Sequence, residues 1–294
     1  MNRWSHGMWT VPTTLTVAAS LLLGGTAALA QSPAAGGSPA PACTPLPTMA
    51  PLGSPVATMP SLTIFAAASL AKPFSVMGQA WAAQHAGSTL TFSFDASSAL
   101  KAQIEQGAPS DVFASADTKN PQALIDECLA PAPITDFATN HLVIVVPTAN
   151  PAGIASPADL AKPGVRIVAA GPDVPITRYA EQVISNLAAQ AGAPAGYADA
   201  VHANIVSRED NVAQVLSKIE LGEGDAGIVY VSDATSATGV TAIQIPAAVN
   251  VLATYGAVEV AATTVPDGAA AFLGYLLGPE AQAILAQFGF LPPQ

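Results

Sequence analysis

From residue 61 onward the chain predicts an α/β fold, with parallel sheets covered by helices on both faces. Three observations carry this. Short apolar runs alternate with segments whose apolar residues recur at helical spacing. Several of those helical segments stop at a glycine. Two of the runs, "HLVIVVP" (141–147) and "GVRIVAA" (164–170), are continuous and rich in β-branched residues, as strands buried on both faces require. Repeated strand-then-helix units of this length build doubly wound sheets.

The elements follow in order. "LTIF" (62–65) is a short strand, and "LAKPFSVMGQAWAAQHAG" after it is a helix closed by Gly87. "TLTFSF" (89–94) alternates like a strand, "SSALKAQIEQG" (97–107) is a short helix ending at Gly107, and "DVFASA" (111–116) is a strand. After the two buried runs, "ITRYAEQVISNLAAQAG" (176–192) and "DNVAQVLSKIELGEG" (210–224) are helices. "AGIVYV" (226–231) and "VLATYGAVEV" (251–260) are strands. "AAAFLGYLLGPEAQAILAQFG" (269–289) is helical with a break near Gly278-Pro279. No internal repeat of fixed period is present.

The first 60 residues are of another kind. Arg3, the apolar stretch Val17 to Leu23 and the Ala28-x-Ala30 pattern before Gln31 predict a secretory signal peptide over 1–30; an uncleaved membrane anchor is the alternative. Residues 31–60 hold eight prolines among Gly, Ser and Ala, a composition that predicts a disordered tether. No other stretch stays apolar for the ~18 residues that a membrane span needs. Export permits a disulfide between the chain's two cysteines, Cys43 and Cys128, closing a loop that contributes roughly 4 kcal/mol in the chain-entropy view. A free Cys128 and a lipidated Cys43 are the other readings.

Nine basic residues stand against twenty acidic ones, a net charge of −11. Nucleic acid and anionic membranes recruit clustered Lys and Arg, so neither is expected as a partner. A hydrolase is not expected either. "AAASLA" lacks both glycines of a nucleophile elbow, and His85, His141 and His202 are scattered with no metal-ligand spacing. A pure adhesion or scaffold module is the remaining non-transport reading.

The strand-to-helix junctions share a character. Ser69 follows "FAAA", Ser97 follows "FSFDA", Ile176 follows "GPDVP" and Val212 follows "SREDN". In doubly wound folds ligands bind beyond the carboxyl ends of strands, where the free N–H groups of helix N-termini attract anions. Small alanines let an anion approach the backbone, and Ser69 offers an N–H and a hydroxyl. The plainer readings are that Ser69 and Ser97 are helix caps, that Ile176 and Val212 are core residues, and that Tyr230 is an amphipathic strand-end tyrosine.

Taken together, "FAAASLAKPF", "FSFDASSALKAQIEQGAPSDVFASAD", "VPITRYA", "EDNVAQVL" and "GIVYVSDA" resemble the molybdate-binding proteins of bacterial ABC importers, over about residues 61–294. The resemblance implies a two-lobed type II periplasmic-binding-protein fold, two doubly wound domains joined by a hinge crossed twice. Residues 61–139 and 248–294 would form lobe 1 and 140–247 lobe 2. It implies a tetrahedral oxyanion held by neutral donors: Ser69 and Ser97 from one lobe, the Ile176 and Val212 N–H groups and the Tyr230 hydroxyl from the other. No protein atom would ligate the metal directly, since the anion is bound through its oxygens. The ligand implied is molybdate, and tungstate with it; sulfate is the sister alternative. The implied partner is the ABC permease, with the protein a monomer, exported and periplasmic or attached to the cell surface, and with no cofactor beyond its cargo. Two positions depart from the pattern. The site after "VP" carries Ile176-Thr177, bulkier than usual, and Asp95 lies two residues before Ser97, where it is expected to point outward or to cap an amide.

Overall fold

The computed structural model describes residues 59–294. The signal peptide expected over 1–30, nearly all of the tether expected over 31–60, and Cys43 lie outside the described residues. Cys128 is not a free thiol.

The first part of the fold is β1 (Leu62–Ala67), a 3-10 turn (Ala68–Leu70), α1 (Ala71–Gln84), β2 (Leu90–Asp95), α2 (Ser97–Glu105), β3 (Val112–Ser115) and α3 (Lys119–Asp126). The long strand β4 (Thr135–Pro147) leads into a second part: a 3-10 turn (Pro157–Ala161), β5 (Ile167–Ala170), α4 (Pro175–Ala188), α5 (Tyr197–Ala203), β6 (Ile205–Glu209) and α6 (Val212–Glu220). β7 (Ala226–Tyr230), α7 (Val231–Thr235) and β8 (Val240–Gln244) complete it. The chain then returns through β9 (Leu252–Glu259) to α8 (Pro266–Leu277) and α9 (Pro279–Gln287).

The strands run in the order β2-β1-β3-β9-β4-β7-β5-β6, with β8 paired to β4. β1 lies parallel to β2 and β3, and β5 parallel to β6 and β7, as the strand–helix alternation predicts. β4 and β9 are antiparallel to their neighbours, which the alternation alone does not predict. They are the two strands that carry the chain from one half of the sheet to the other. β4 changes partners along its length: Thr135–His141 pairs with β9, and Leu142–Pro147 pairs with β7 and β8.

Side-chain alternation explains why helices cover both faces. Leu62, Ile64 and Ala66 of β1 turn to the cluster that holds Phe74, Trp81 and Phe272 of α1 and α8. Phe65 turns the other way, to Leu100 and Ile104 of α2 and Leu124 of α3. In α1 the buried residues Phe74, Met77 and Trp81 fall on one face, and each contributes roughly 1.5–3 kcal/mol by leaving water. The buried Trp81 indole donates to Ser88 Oγ at 2.9 Å, and that hydroxyl donates to the Pro60 carbonyl at 2.7 Å, so no polar group is stranded. In the second half, α6 lies so close to β7 that a Cβ on Gly227 would sit 2.9 Å from Val215 Cγ1. The predicted break at Gly278-Pro279 is present, and α8 and α9 meet there at 58°.

Five elements lack a sequence expectation: α3, α5, β6, α7 and β8. All are short, and β6 ("IVSRE") and β8 ("VTAIQ") carry polar residues on partly exposed strands. The first half of β4, "TDFATN", is also polar, yet Thr139 and Asn140 are buried between β9 and the end of the chain.

Candidate functional site

The carboxyl ends of β1 and β2 face those of β7 and the β6–α6 junction across a cleft. A small pocket there is lined by Ser69, Ser97, Ile176, Val212 and Tyr230 together, with Asp95 and Asn211 at its edge. The five residues come from five different junctions, and all are buried. No lysine or arginine is among the lining residues. Among the described residues no three His, Cys, Asp or Glu side chains gather as a metal site.

Neither serine is a helix cap. Ser69 lies in the 3-10 turn before α1, where no side-chain cap is made; its Oγ is 3.0 Å from the Tyr255 hydroxyl. Ser97 is the first helical residue of α2, one position past the N-cap, and its Oγ accepts the Ala116 N–H at 3.0 Å. The capping reading fails because "AAA" and "DA" bring the chain into the helix one residue early or late. The hydroxyls are thereby placed on partners far away in sequence.

The opposing wall offers backbone. Pro175 is the first residue of α4, as its fixed φ favours, and Ile176 the second. Asn211 caps α6 by accepting the Gln214 N–H at 3.1 Å, which leaves Val212 as the first helical residue. Residues at these positions have no carbonyl one turn back within their own helix, so their N–H groups remain for a ligand. The N-termini of α2, α4 and α6 all open on the pocket and bring their partial positive charge with them. Tyr230 ends β7, and its buried hydroxyl has no partner among the described residues. Burial pushes that hydroxyl well above the usual tyrosine range, so it stays protonated and available as a donor.

Asp95 does cap an amide. Its Oδ1 accepts the Ala96 N–H at 2.8 Å and also Asn211 Nδ2 at 3.0 Å from across the cleft. Two further contacts join the halves. Arg178 Nη2 of α4 donates to Asp117 Oδ2 at 3.1 Å, and Lys72 Nζ of α1 donates to the Ser236 carbonyl at 2.5 Å. Asp117 is otherwise enclosed by Ser115 and Asn120, which donate to it. Behind the pocket Asp233 accepts the Tyr230 N–H at 3.2 Å. Burial pushes its carboxyl up to about 7, against the pull of that N–H and of Lys72.

The second layer has no counterpart in the sequence reading. Tyr255, Asn211 and Arg178 sit in segments that read as ordinary strand or helix, Asn140 lies in the polar stretch "TDFATN", and Asp117 lies between β3 and α3. The one available signal is the polar pair Thr139-Asn140 directly before an apolar run, which marks polar side chains carried into a core.

The family described as bacterial extracellular solute-binding protein matches residues 62–291. The molybdate-binding protein ModA of Mycobacterium tuberculosis is 38% identical over 234 residues, covering 79% of this chain and 85% of that protein. The structure of the periplasmic molybdate-binding protein of Azotobacter vinelandii superposes with a TM-score of 0.69 at 27% identity, covering 80% of this chain and 100% of that one. The sulfate-binding protein SubI of M. tuberculosis superposes with a TM-score of 0.71 at 20% identity, covering 79% of this chain and 87% of that one, a likeness of fold alone.

Proposed function

The chain belongs to the bacterial extracellular solute-binding proteins, and we propose that it captures molybdate in the cleft and delivers it to the permease of an ABC transporter. One observation carries the reading: three hydroxyls and two first-turn amides line one small pocket that holds no cationic side chain. Molybdate is fully ionised near neutral pH, so all its oxygens accept and none donates. A pocket of donors satisfies it. Hydrogen phosphate carries a proton and finds a mismatch there. Tungstate is nearly the size of molybdate and binds as well, while sulfate has the same charge and shape and is refused by its smaller size. In this reading the protein acts by binding and release, not by turnover.

The two halves of the sheet act as lobes: 61–139 with 248–294, and 140–247. The change of partners along β4 at His141 and Leu142 supports that division. An anion held by Ser69 and Ser97 on one side and by Ile176, Val212 and Tyr230 on the other favours the arrangement in which the halves meet. The N-terminal segments serve export and tethering, and a Cys43–Cys128 bridge fits that compartment.

Calorimetric titration of the purified chain with molybdate, tungstate, sulfate and phosphate tests this. Tight one-to-one binding of molybdate and tungstate is expected. Ser69→Ala and Ser97→Ala are each expected to weaken it by about 1–3 kcal/mol. Binding of sulfate in preference to molybdate would move the protein to the sister specificity, and wild-type affinity in the double variant would remove both serines from the site.

A further inference from the structure

We propose that Asp95 and Asn211 form a latch across the cleft: the Asn211 side-chain amide donates to the Asp95 carboxylate, and this bond holds the halves together around the anion and slows its release. Both are positioning residues, acting through the donors beside them. The inference rests on the anion-binding reading above and deepens it.

The polarity of the bond is fixed at both ends. Asn211 Oδ1 accepts the Gln214 N–H at 3.1 Å, and a backbone N–H cannot reverse its role. The other end of the same amide is therefore Nδ2, and it donates to Asp95 Oδ1 at 3.0 Å. A carboxylate offers acceptors only. Asp95 Oδ1 also accepts the Ala96 N–H at 2.8 Å, a contact within its own half that orients the carboxylate.

The two residues sit where a latch acts on the site. Asp95 ends β2, two residues before Ser97, and Asn211 stands directly before Val212. They lie 116 residues apart in the chain, in opposite halves. Of the three contacts that join the halves, this is the one whose two residues both border the pocket; Asp117–Arg178 and Lys72–Ser236 lie outside its lining. The bond thus fixes the distance between the Ser97 and Val212 junctions, which face the anion from opposite sides. Opening the cleft parts Nδ2 from Oδ1, while the cap on α6 and the Ala96 contact stay within their own halves. The bond therefore belongs to the closed arrangement alone. A hydrogen bond to a charged group shifts the balance of closed over open by about tenfold or more, and apparent affinity follows the closed fraction.

Charge alone makes the opposite forecast. A carboxylate at the edge of a dianion site repels the ligand, so its removal would tighten binding and slow release. Asp95→Ala is instead expected to release molybdate faster than wild type by about threefold or more, read by stopped flow. This variant leaves Asn211 and α6 untouched. An exchange of partners tests the bond at constant charge. Asn211→Asp keeps the cap, because Asp and Asn rank together there, but sets two carboxylates face to face. Adding Asp95→Asn restores the bond with donor and acceptor exchanged; adding Asp95→Ala gives the same net charge and no donor. D95N/N211D is expected to bind molybdate about tenfold tighter than D95A/N211D by calorimetry, with the difference in the dissociation rate. Equal affinity of the two double variants, a difference confined to association, or unchanged or slower release in D95A overturns the latch while molybdate binding by wild type still stands. Wild type that binds no molybdate overturns the proposed function, and the latch falls with it.

Discussion

At Ser69 and Ser97 the hydroxyl that a helix start ordinarily uses for capping is engaged elsewhere, by Tyr255 and by the Ala116 amide. The composition of the junctions was readable in the sequence. The partners were not, because they lie 186 and 19 residues away along the chain. Asp233 shows the same dependence on surroundings. Its sequence context, "YVSDA", is that of a helix first turn, where a carboxylate is usually comfortable. Burial behind Tyr230 instead holds its proton up to about pH 7, above the ordinary 3.8. Folding therefore takes up a proton between those two values, and the contribution of Asp233 to stability falls as pH rises through that window. Asp233→Asn keeps an acceptor for the Tyr230 N–H and removes the titration. Urea unfolding is expected to show the variant gaining on wild type from about pH 4 to 7, by up to about 4 kcal/mol, then holding level. A gap that does not change with pH would show that Asp233 folds ionised.

Among the elements, α4 and α6 carry the proposed site through their first residues. Proline is favoured at the first helical position, where its missing N–H breaks no intrahelical bond. Asn211, the residue before Val212, is extended, with φ −153° and ψ 171°, as a residue preceding proline prefers. Val212→Pro therefore deletes one amide donor and leaves α6 in place. It is expected to lower molybdate affinity by about 1–3 kcal/mol with unchanged far-UV circular dichroism. Unchanged affinity would remove that amide from the site. The long periodic helices and the continuous strands were legible because each hydrophobic pattern reports its own burial. The short elements β6, α5 and β8, and the polar first half of β4, were not. Their residues become strand or helix through neighbours supplied by other parts of the chain.

For the whole molecule, the net charge of −11 opposes the approach of a dianion although hydroxyl and amide donors line the pocket. Salt screens that repulsion, so stopped-flow association rates for molybdate are expected to rise with ionic strength. A fall would mean that Lys101, Lys119 and Arg178, which line the open groove beside the cleft, dominate the local field. The contacts Asp95–Asn211, Asp117–Arg178 and Lys72–Ser236 set how the halves meet, and none of them is local in sequence. The sequence by itself determined the α/β class, the order of the main strands and helices, and the composition of the strand-to-helix junctions at Ser69, Ser97, Ile176 and Val212. Periodicity and turn chemistry act over a few residues and leave their mark in any short window. Only the tertiary structure decided that those junctions share one pocket, that β4 and β9 run antiparallel, and that Ser69 Oγ meets the Tyr255 hydroxyl. Each of these depends on groups brought together by folding, whose mutual distances no local pattern encodes.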